Sequence, residues 1–190
     1  MTKKNHFKKL TACAMFTALI CIGTFIQIPI PYLPITLQTM FVIMAGLILG
    51  PKYGAAASFV YMLLGLSGIP VFSQGGGIGY IFKASFGFIA GFIFGAFLTG
   101  VIIERAEKLG KFNMTTILLA SAAGLAVIYI VGCFYMYFIL NVYMKEIPET
   151  YTGIQYVLMN GFLLFLPREA VTAVLGAVLA RRLKPALLKT

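Results

Sequence analysis

The sequence contains no aspartate and only one histidine, His6, which lies in the basic N-terminal segment. A Ser/His/Asp triad or a His-Glu-x-x-His zinc motif therefore lacks the residues it needs. A phosphate-binding loop is also missing, because Gly110-Lys111 is followed by Phe112 where the motif requires serine or threonine. We expect neither an enzyme nor a chain that hydrolyses ATP alone.

Cysteine is scarce as well, and Cys13, Cys21 and Cys133 each fall inside an apolar run. They show no paired spacing with histidine. We therefore expect buried, inert thiols, with no metal site, no cofactor and no disulfide framework.

Charged residues form only 11% of the 190 residues, whereas 61% are hydrophobic. Soluble domains are about a quarter charged, so this composition indicates an integral membrane protein. The apolar runs are continuous instead of alternating, which favours an all-α bundle of six transmembrane helices over a barrel. The predicted helices of this single domain, 1–190, lie at about 9–28, 35–50, 53–69, 78–103, 114–140 and 155–181.

Basic residues outnumber acidic ones and give a formal net charge of +10. They gather in the N-terminal segment, at Lys52, after the fourth predicted helix and near the C-terminus. By the positive-inside rule both termini are then cytoplasmic, and the loops 29–34, 70–78 and 141–154 face outward. The positions of the basic residues therefore indicate the orientation of the chain in the membrane and contact with anionic lipid. They do not indicate binding to nucleic acid.

A row at four-residue spacing runs through the glycine-rich stretch 75–100, formed by Gly79, Lys83, Gly87, Gly91 and Gly95. Small residues in such rows let helices approach closely, so this face is expected to lie inside the bundle and to carry the lysine with it. A lysine in hydrocarbon is costly and is a functional-site candidate by default. The alternative is a structural lysine that snorkels to the outer headgroups.

Arg168 and Glu169 follow Pro167 in the last predicted helix. Adjacent helical residues point about 100° apart, so we do not expect both to face one partner squarely. Asn160 and Arg168 share a row and are expected on one wall. With Lys83, the charges within the predicted helices sum to +1, which a small carboxylate would neutralise. The alternative is that Glu169 pairs with Lys83 or Arg168 and only locks helices together.

The outward segments add polar groups without bulk, namely Thr36, Gln38, Gln74 and the glycines 75–77. Phe72, Tyr80, Tyr129 and Tyr135 are candidates for apolar and aromatic walls. Such a combination is typical of a small-molecule pocket. On the first helix, Ala14-x-x-x-Ala18 forms a flat patch on which a partner helix could dock.

Residues 34–79 combine several short motifs: Pro34-Ile35-Thr36-Leu37-Gln38-Thr39, Ala45-Gly46, Leu49-Gly50-Pro51 with Gly54, Gly65-Leu66 with Gly68, Pro70-Val71-Phe72, and Gly75-Gly76-Gly77 with Gly79. In this combination the chain resembles the BioY family, the biotin-specific substrate-binding (S) components of energy-coupling factor (ECF) transporters. The likeness continues more loosely to Leu183, and six helices fit the family.

Two departures from the family pattern concern the charged residues. Where members usually have Gly-Pro-Thr-Gly-Gly-Tyr, this chain has Lys83-Ala84-Ser85-Phe86-Gly87-Phe88. The usual Pro-Gly-Asp-x-x-Lys appears as Pro167-Arg168-Glu169, with Thr172 at the lysine position. The acidic residue of the pattern is kept as Glu169, but the lysine is replaced by Thr172. We therefore expect Arg168 or Lys83 to supply the positive charge instead.

The resemblance implies an S component in the bacterial plasma membrane that binds biotin from outside with high affinity. It would deliver biotin through a transmembrane coupling protein driven by two ATPase subunits, with Ala14 and Ala18 as the docking patch. Lys83 or Arg168 would hold the biotin carboxylate, and the loops 29–34 and 70–78 would form a lid. The candidates for the ureido group or for shaping the pocket and its lid are Glu169, Asn160, Ser85, Gln38, Gln74 and Gly76.

Two other functions remain open at this stage. One is an S component for another small vitamin. The other is a stand-alone proton-coupled carrier of a small organic anion, which would use Glu169 as its titrating group.

Overall fold

The computed structural model describes residues 3–29, 33–144 and 151–188, and these are mostly helical. Seven α-helices, one short β-hairpin, one 3₁₀ turn and two π-helical turns follow one another in this part of the chain. In order they are α1 (Lys3–Phe25), β1 (Gln27–Ile28), β2 (Ile35–Thr36), α2 (Gln38–Leu49), α3 (Pro51–Leu66), the 3₁₀ turn (Ile78–Phe82), α4 (Phe86–Lys108), α5 (Met114–Phe138), a π turn (Ile139–Met144), α6 (Gly153–Leu158), a π turn (Met159–Leu163) and α7 (Leu166–Leu188).

Four helical segments within the described residues are long and apolar enough to cross a membrane: Phe7–Phe25, Phe86–Lys108, Met114–Tyr143 and Gly153–Pro185. The helix α2 is apolar but has only 12 residues. The helix α3 has 16 residues. The membrane-protein prediction is therefore supported by these four segments.

The helix α2 lies at the centre of the bundle, where it packs against α1, α3, α4, α5 and α7. Close approach to its neighbours depends on glycine: a Cβ at Gly46 would stand 2.5 Å from the carbonyl oxygen of Ala96 on α4. Gly50, with φ +81°, turns the chain directly into α3, and Pro51 occupies the first helical position. The predicted helix bounds, 35–50 and 53–69, imply this short connection.

Two helices begin later than predicted. Ile35 and Thr36 pair with Ile28 and Gln27 in the antiparallel β-hairpin, so α2 starts at Gln38. The fourth helix starts at Phe86 instead of 78, because residues 78–82 form the 3₁₀ turn and Lys83 has an extended backbone, with φ −87° and ψ 141°. The last predicted helix is divided, because the π turn Met159–Leu163 separates α6 from α7.

The glycine row predicted for the fourth helix is confirmed from Gly87 onward. A Cβ at Gly87 would lie 2.2 Å from Cβ of Tyr135, and one at Gly95 would lie 2.4 Å from Cγ1 of Ile128, both on α5. Gly79, by contrast, has open space around it. Since α4 begins only at Phe86, the prediction that this buried face includes Lys83 is wrong: Lys83 precedes the helix and is exposed.

Candidate ligand-binding site

A small cavity of about 40 Å³ lies where the β-hairpin and the starts of α2, α4 and α7 meet α5. Its walls are largely apolar and aromatic, with five neutral polar side chains besides the two tyrosines, and one cation. The lining residues are Leu33, Pro34, Thr36, Gln38, Thr39, Ser73, Tyr80, Ser85, Phe88, Ile89, Phe92, Tyr129, Phe165 and Arg168. This composition is that of a small-molecule site.

Arg168 supplies the positive charge of this cavity. Its guanidinium donates to the backbone oxygen of Thr36, to Oγ1 of Thr39 at 3.2 Å, and to the Glu169 carboxylate. The guanidinium carbon also stands 5.6 Å from the centre of the Phe165 ring. Among the described residues, Nε of Arg168 is the buried side-chain polar atom left without a hydrogen-bond partner. One strong donor of the site therefore has unused bonding capacity.

Glu169 is buried, with 4% of its surface exposed. Its Oε1 accepts from the Tyr129 hydroxyl at 2.8 Å and from Thr39 Oγ1 at 3.0 Å, besides pairing with Arg168. Its Oε2 accepts from Thr172 Oγ1 at 3.1 Å. Glu169 thus joins α5, α2 and α7, and Thr172, at the position where the family pattern has lysine, contacts the same acid.

The ion pair between Arg168 and Glu169 corrects two expectations. Adjacent helical residues point apart, yet both side chains here contact Thr39 and each other, because the arginine side chain is long enough to curl back. The ion pair with Arg168, which the alternative of a purely structural Glu169 requires, is present in the structure. The sum of +1 within the membrane does not hold, since the buried pair is formally neutral and Lys83 lies outside α4.

Lys83 does not line the cavity in this structure. Its Nζ donates to the backbone oxygen of Gln74 at 3.3 Å and stands 5.4 Å from the centre of the Tyr80 ring. The side chain is exposed. Lys83 therefore links the residue-70–78 loop to the segment before α4 on the exposed surface, and not within the cavity.

Hydroxyl groups form a second polar wall. Tyr80 is buried, and its hydroxyl accepts from Ser85 Oγ at 3.1 Å and lies 3.2 Å from Ser73 Oγ. Ser85, a residue singled out from the sequence, immediately precedes α4 and faces this cluster. Ser73 brings the residue-70–78 loop into the same wall, a contribution for which the sequence gives no distinctive signal.

Gln38 belongs to a buried network below the same loop. Thr36 Oγ1 donates to Oε1 of Gln38 at 2.9 Å, and Nε2 of Gln38 donates to the hydroxyl of Tyr61. That hydroxyl donates in turn to the backbone oxygen of Val71 at 3.1 Å. Phe72 next to it packs 5.5 Å from the Tyr61 ring and 4.5 Å from the Tyr80 ring. The loop is thereby anchored to α2 and α3.

Other residues predicted for the site lie elsewhere. Asn160 falls in the π turn and donates to the backbone oxygen of Tyr156 at 3.0 Å, so it does not share a wall with Arg168 as the helical row predicted. Gln74 and Gly76 are exposed and do not line the cavity. Phe72 packs against Tyr80 of the lining, whereas Tyr135 contacts Phe86 and the backbone oxygen of Ile81. Apolar residues supply the remaining surface, and the sequence does not distinguish them from ordinary core: Phe88, Ile89, Phe92 and Phe165.

Ala14 and Ala18 are both exposed on α1, whereas Cys13 and Thr17 face α3. Thr17 Oγ1 donates to the backbone oxygen of Ala57 at 3.1 Å. The small-residue patch therefore points away from the bundle.

Comparison with known proteins places this geometry in a family. The model of the BioY family matches residues 1–189. The chain belongs to the BioY family. The BioY-family chain is 38% identical over 183 residues to the probable biotin transporter BioY of Lysinibacillus sphaericus, covering 96% of this chain and 90% of that protein. It is 35% identical to the biotin transporter BioY of Thermotoga maritima, covering 93% and 96%.

A solved structure agrees with the family assignment. A crystal structure described as the S-component for biotin from an ECF-type ABC transporter matches with a TM-score of 0.82 and 31% sequence identity. The match covers 97% of this BioY-family chain and 94% of that chain. The helical arrangement described above is therefore the arrangement of a known S component.

Proposed function

We propose that this chain is the S component of an ECF-type vitamin importer, which binds biotin with high affinity from outside the cell and delivers it through a partner energy-coupling module. The observation that carries the proposal is the unpartnered Nε of Arg168 in an otherwise aromatic and hydroxyl-lined cavity. The function is transport, not catalysis.

The chemistry of biotin suits these walls. Biotin has one carboxylate, a ureido ring with two donors and one acceptor, and an apolar thioether ring. A guanidinium binds a carboxylate through charge-assisted hydrogen bonds, which are stronger than neutral ones. The aromatic side chains Phe88, Phe92 and Tyr129 offer apolar contacts for the ring system. We assign the carboxylate to Arg168, with Lys83 as the competing candidate.

Glu169 has a supporting role in this proposal. Both of its oxygens already accept hydrogen bonds, so the carboxylate holds Arg168 in place instead of contacting biotin. Ser85 and Gln38 are the candidates for the ureido group, because each carries a polar side chain into the lining.

The binding site has to expand to hold the vitamin. A cavity of about 40 Å³ has room for water, whereas pockets for drug-sized ligands occupy roughly 300–1,000 Å³. We propose that the segments 29–34 and 70–78 form the lid that moves, of which residues 30–32 lie outside the described part. Gln74 and Gly76 belong to this lid, and Lys83 holds its outer side.

The energy for release comes from a partner in this proposal. A transmembrane coupling protein with two ATPase subunits would dock on the exposed Ala14 and Ala18 of α1, where small side chains permit close helix contact. We further propose a bundle of six transmembrane helices in the cell membrane with both termini cytoplasmic. The outward loop 141–154 of this topology includes residues 145–150, which lie outside the described part.

A binding assay tests the proposal. Detergent-solubilised chain should bind radiolabelled biotin saturably, and unlabelled biotin should compete while riboflavin and thiamine should not. Absence of saturable binding at low biotin concentration would exclude biotin as the ligand. Competition by another vitamin would favour an S component for that compound. Biotin uptake into liposomes by this chain alone, driven by a pH gradient and abolished by Glu169→Gln, would favour the proton-coupled carrier.

A further inference from the structure

A second cavity, of about 340 Å³, lies at the opposite end of the bundle from the biotin cavity. The first is lined by residues near the start of α4, such as Phe88, and the second by residues near its end, Glu104 and Glu107. The N-terminal part of α1, the α2–α3 turn and the C-terminal part of α7 complete the lining. Its residues are Lys9, Ile48, Leu49, Gly50, Pro51, Lys52, Tyr53, Glu104, Glu107 and Lys184.

The acidic groups of this cavity are already neutralised. Glu107 pairs with Lys184 at 2.7 Å, and Lys184 also donates to the backbone oxygen of Leu47 at 2.9 Å. Glu104 pairs with Lys108 at 3.1 Å. Lys184 therefore links α7 to α4 and to α2 through these two contacts.

Two cations of the lining are left uncompensated. Among the described side chains, no carboxylate lies within salt-bridge distance of Lys9 or Lys52. The Nζ of Lys9 stands 5.7 Å from the centre of the Tyr53 ring, which keeps the ammonium at the cavity wall. The cavity therefore combines two free positive charges with enough room for a small anionic group.

The position of the cavity identifies the source of that anion. Candidate spans begin at Phe7 and end at Lys108 and Pro185, so Lys9, Glu107 and Lys184 all lie within two residues of the end of a candidate span. Phe7 and Leu10, within one turn of Lys9 on α1, are 67% and 52% exposed. Cations beside exposed apolar side chains suit a lipid, whose headgroup and acyl chain occupy adjacent depths.

We propose that this cavity binds the phosphate-bearing headgroup of an anionic membrane lipid of the phosphatidylglycerol type, with Lys9 and Lys52 contacting the phosphate. Each lysine near an anionic membrane surface contributes about 1 kcal/mol, so removing both should weaken binding by about thirtyfold. The inference stands on its own charges and cavity and does not depend on the ligand of the first site.

Native mass spectrometry of the full chain, purified in a neutral detergent, tests this proposal. Phosphatidylglycerol should bind in a one-to-one complex at lower concentration than phosphatidylcholine, and inorganic phosphate should not compete at equal concentration. Equal affinity for the two lipids would overturn the proposal. Competition by phosphate at equal concentration would also overturn it, because the site would then take a soluble anion.

The variant Lys9→Gln with Lys52→Gln should lose this binding about thirtyfold. The matched control, Lys111→Gln with Arg182→Gln, removes the same charge from exposed residues near the ends of α4 and α7, outside the lining. It should bind phosphatidylglycerol within about twofold of the parent.

The midpoint of thermal unfolding in detergent reports whether both double variants are folded. Lys52→Gln alone, at an exposed position, provides a milder variant. Unchanged lipid binding by the lysine pair would overturn the proposal. Unchanged lipid binding combined with lost assembly of the energy-coupling module would assign the surface to a protein partner instead.

Discussion

The Tyr129 hydroxyl on α5 donates a 2.8 Å hydrogen bond to the Glu169 carboxylate on α7. The same carboxylate pairs with Arg168, so a side chain on α5 fixes the orientation of the cation in the proposed biotin cavity through one intermediate. Arg168 and Glu169 therefore act as one unit with α2 and α5, and not as independent binding groups.

Replacing Tyr129 by phenylalanine should destabilise the protein. The change leaves a buried carboxylate oxygen with one donor fewer, which typically costs about 1–3 kcal/mol. We expect a lower midpoint of thermal unfolding in detergent and weaker biotin binding. Tyr143→Phe is the control, since Tyr143 is 61% exposed and stacks on Phe82. Equal midpoints for the two variants would show that the bond to Glu169 contributes nothing.

Adding a methyl group at Gly87 should disrupt the contact between α4 and α5. The new Cβ would lie 2.2 Å from Cβ of Tyr135, and overpacking of this kind costs about 1–3 kcal/mol. Gly79→Ala, in the same four-residue row but surrounded by open space, should leave the unfolding midpoint unchanged. If Gly79→Ala lowered the unfolding midpoint as much as the Gly87 variant, the result would contradict a helix that starts at Phe86.

Gly65→Ala should loosen the residue-70–78 lid without touching the cavity lining. The added Cβ would stand 2.0 Å from Cζ of Phe72, whose ring anchors the loop between Tyr61 and Tyr80. A displaced anchor should raise the dissociation rate of biotin by about tenfold, equivalent to about 1.4 kcal/mol. Stopped-flow displacement of labelled biotin measures this rate. Ser67→Ala, which removes an exposed hydroxyl bonded to Leu64, is the control, and equal rates would exclude the lid role.

Ala14→Trp should abolish biotin uptake in cells that contain the energy-coupling module while leaving biotin binding by the purified chain intact. The indole would prevent close approach of a partner helix to the exposed patch. Ala122→Trp places the same bulk on an exposed position of α5 and should leave uptake unchanged. Normal uptake by the Ala14 variant would remove this patch from the docking surface.

The sequence predicts the membrane class, the α2–α3 turn and the packing of Gly87, Gly91 and Gly95 because these depend on composition and local spacing. It misplaces Lys83, because the four-residue row does not show that the 3₁₀ turn Ile78–Phe82 and the extended backbone at Lys83 come before the first turn of α4. Asn160 was misplaced for a similar reason, as a π turn shifts every later residue relative to the row.

The pairing of Arg168 with Glu169 depends on side-chain reach and on the donors of two other helices. Thr39 and Tyr129 are far from residue 169 in sequence, and their hydroxyls converge on it only after α2, α5 and α7 pack. Helical spacing along one element contains no information about this convergence. The family motif at 34–39 does indicate the right segment, since three of its residues line the cavity besides Pro34: Thr36, Gln38 and Thr39.

The most direct test of the assignment of Arg168 combines a change in the protein with a change in the ligand. Biotin and its uncharged methyl ester are titrated calorimetrically into the parent, Arg168→Gln and Lys83→Gln. Loss of a buried charged partner costs about 2–5 kcal/mol, whereas an exposed one costs about 0–1 kcal/mol. The account predicts that the parent and Lys83→Gln prefer biotin over the ester by at least about thirtyfold, and that Arg168→Gln has no preference. A preference that survives in Arg168→Gln and disappears in Lys83→Gln would contradict it.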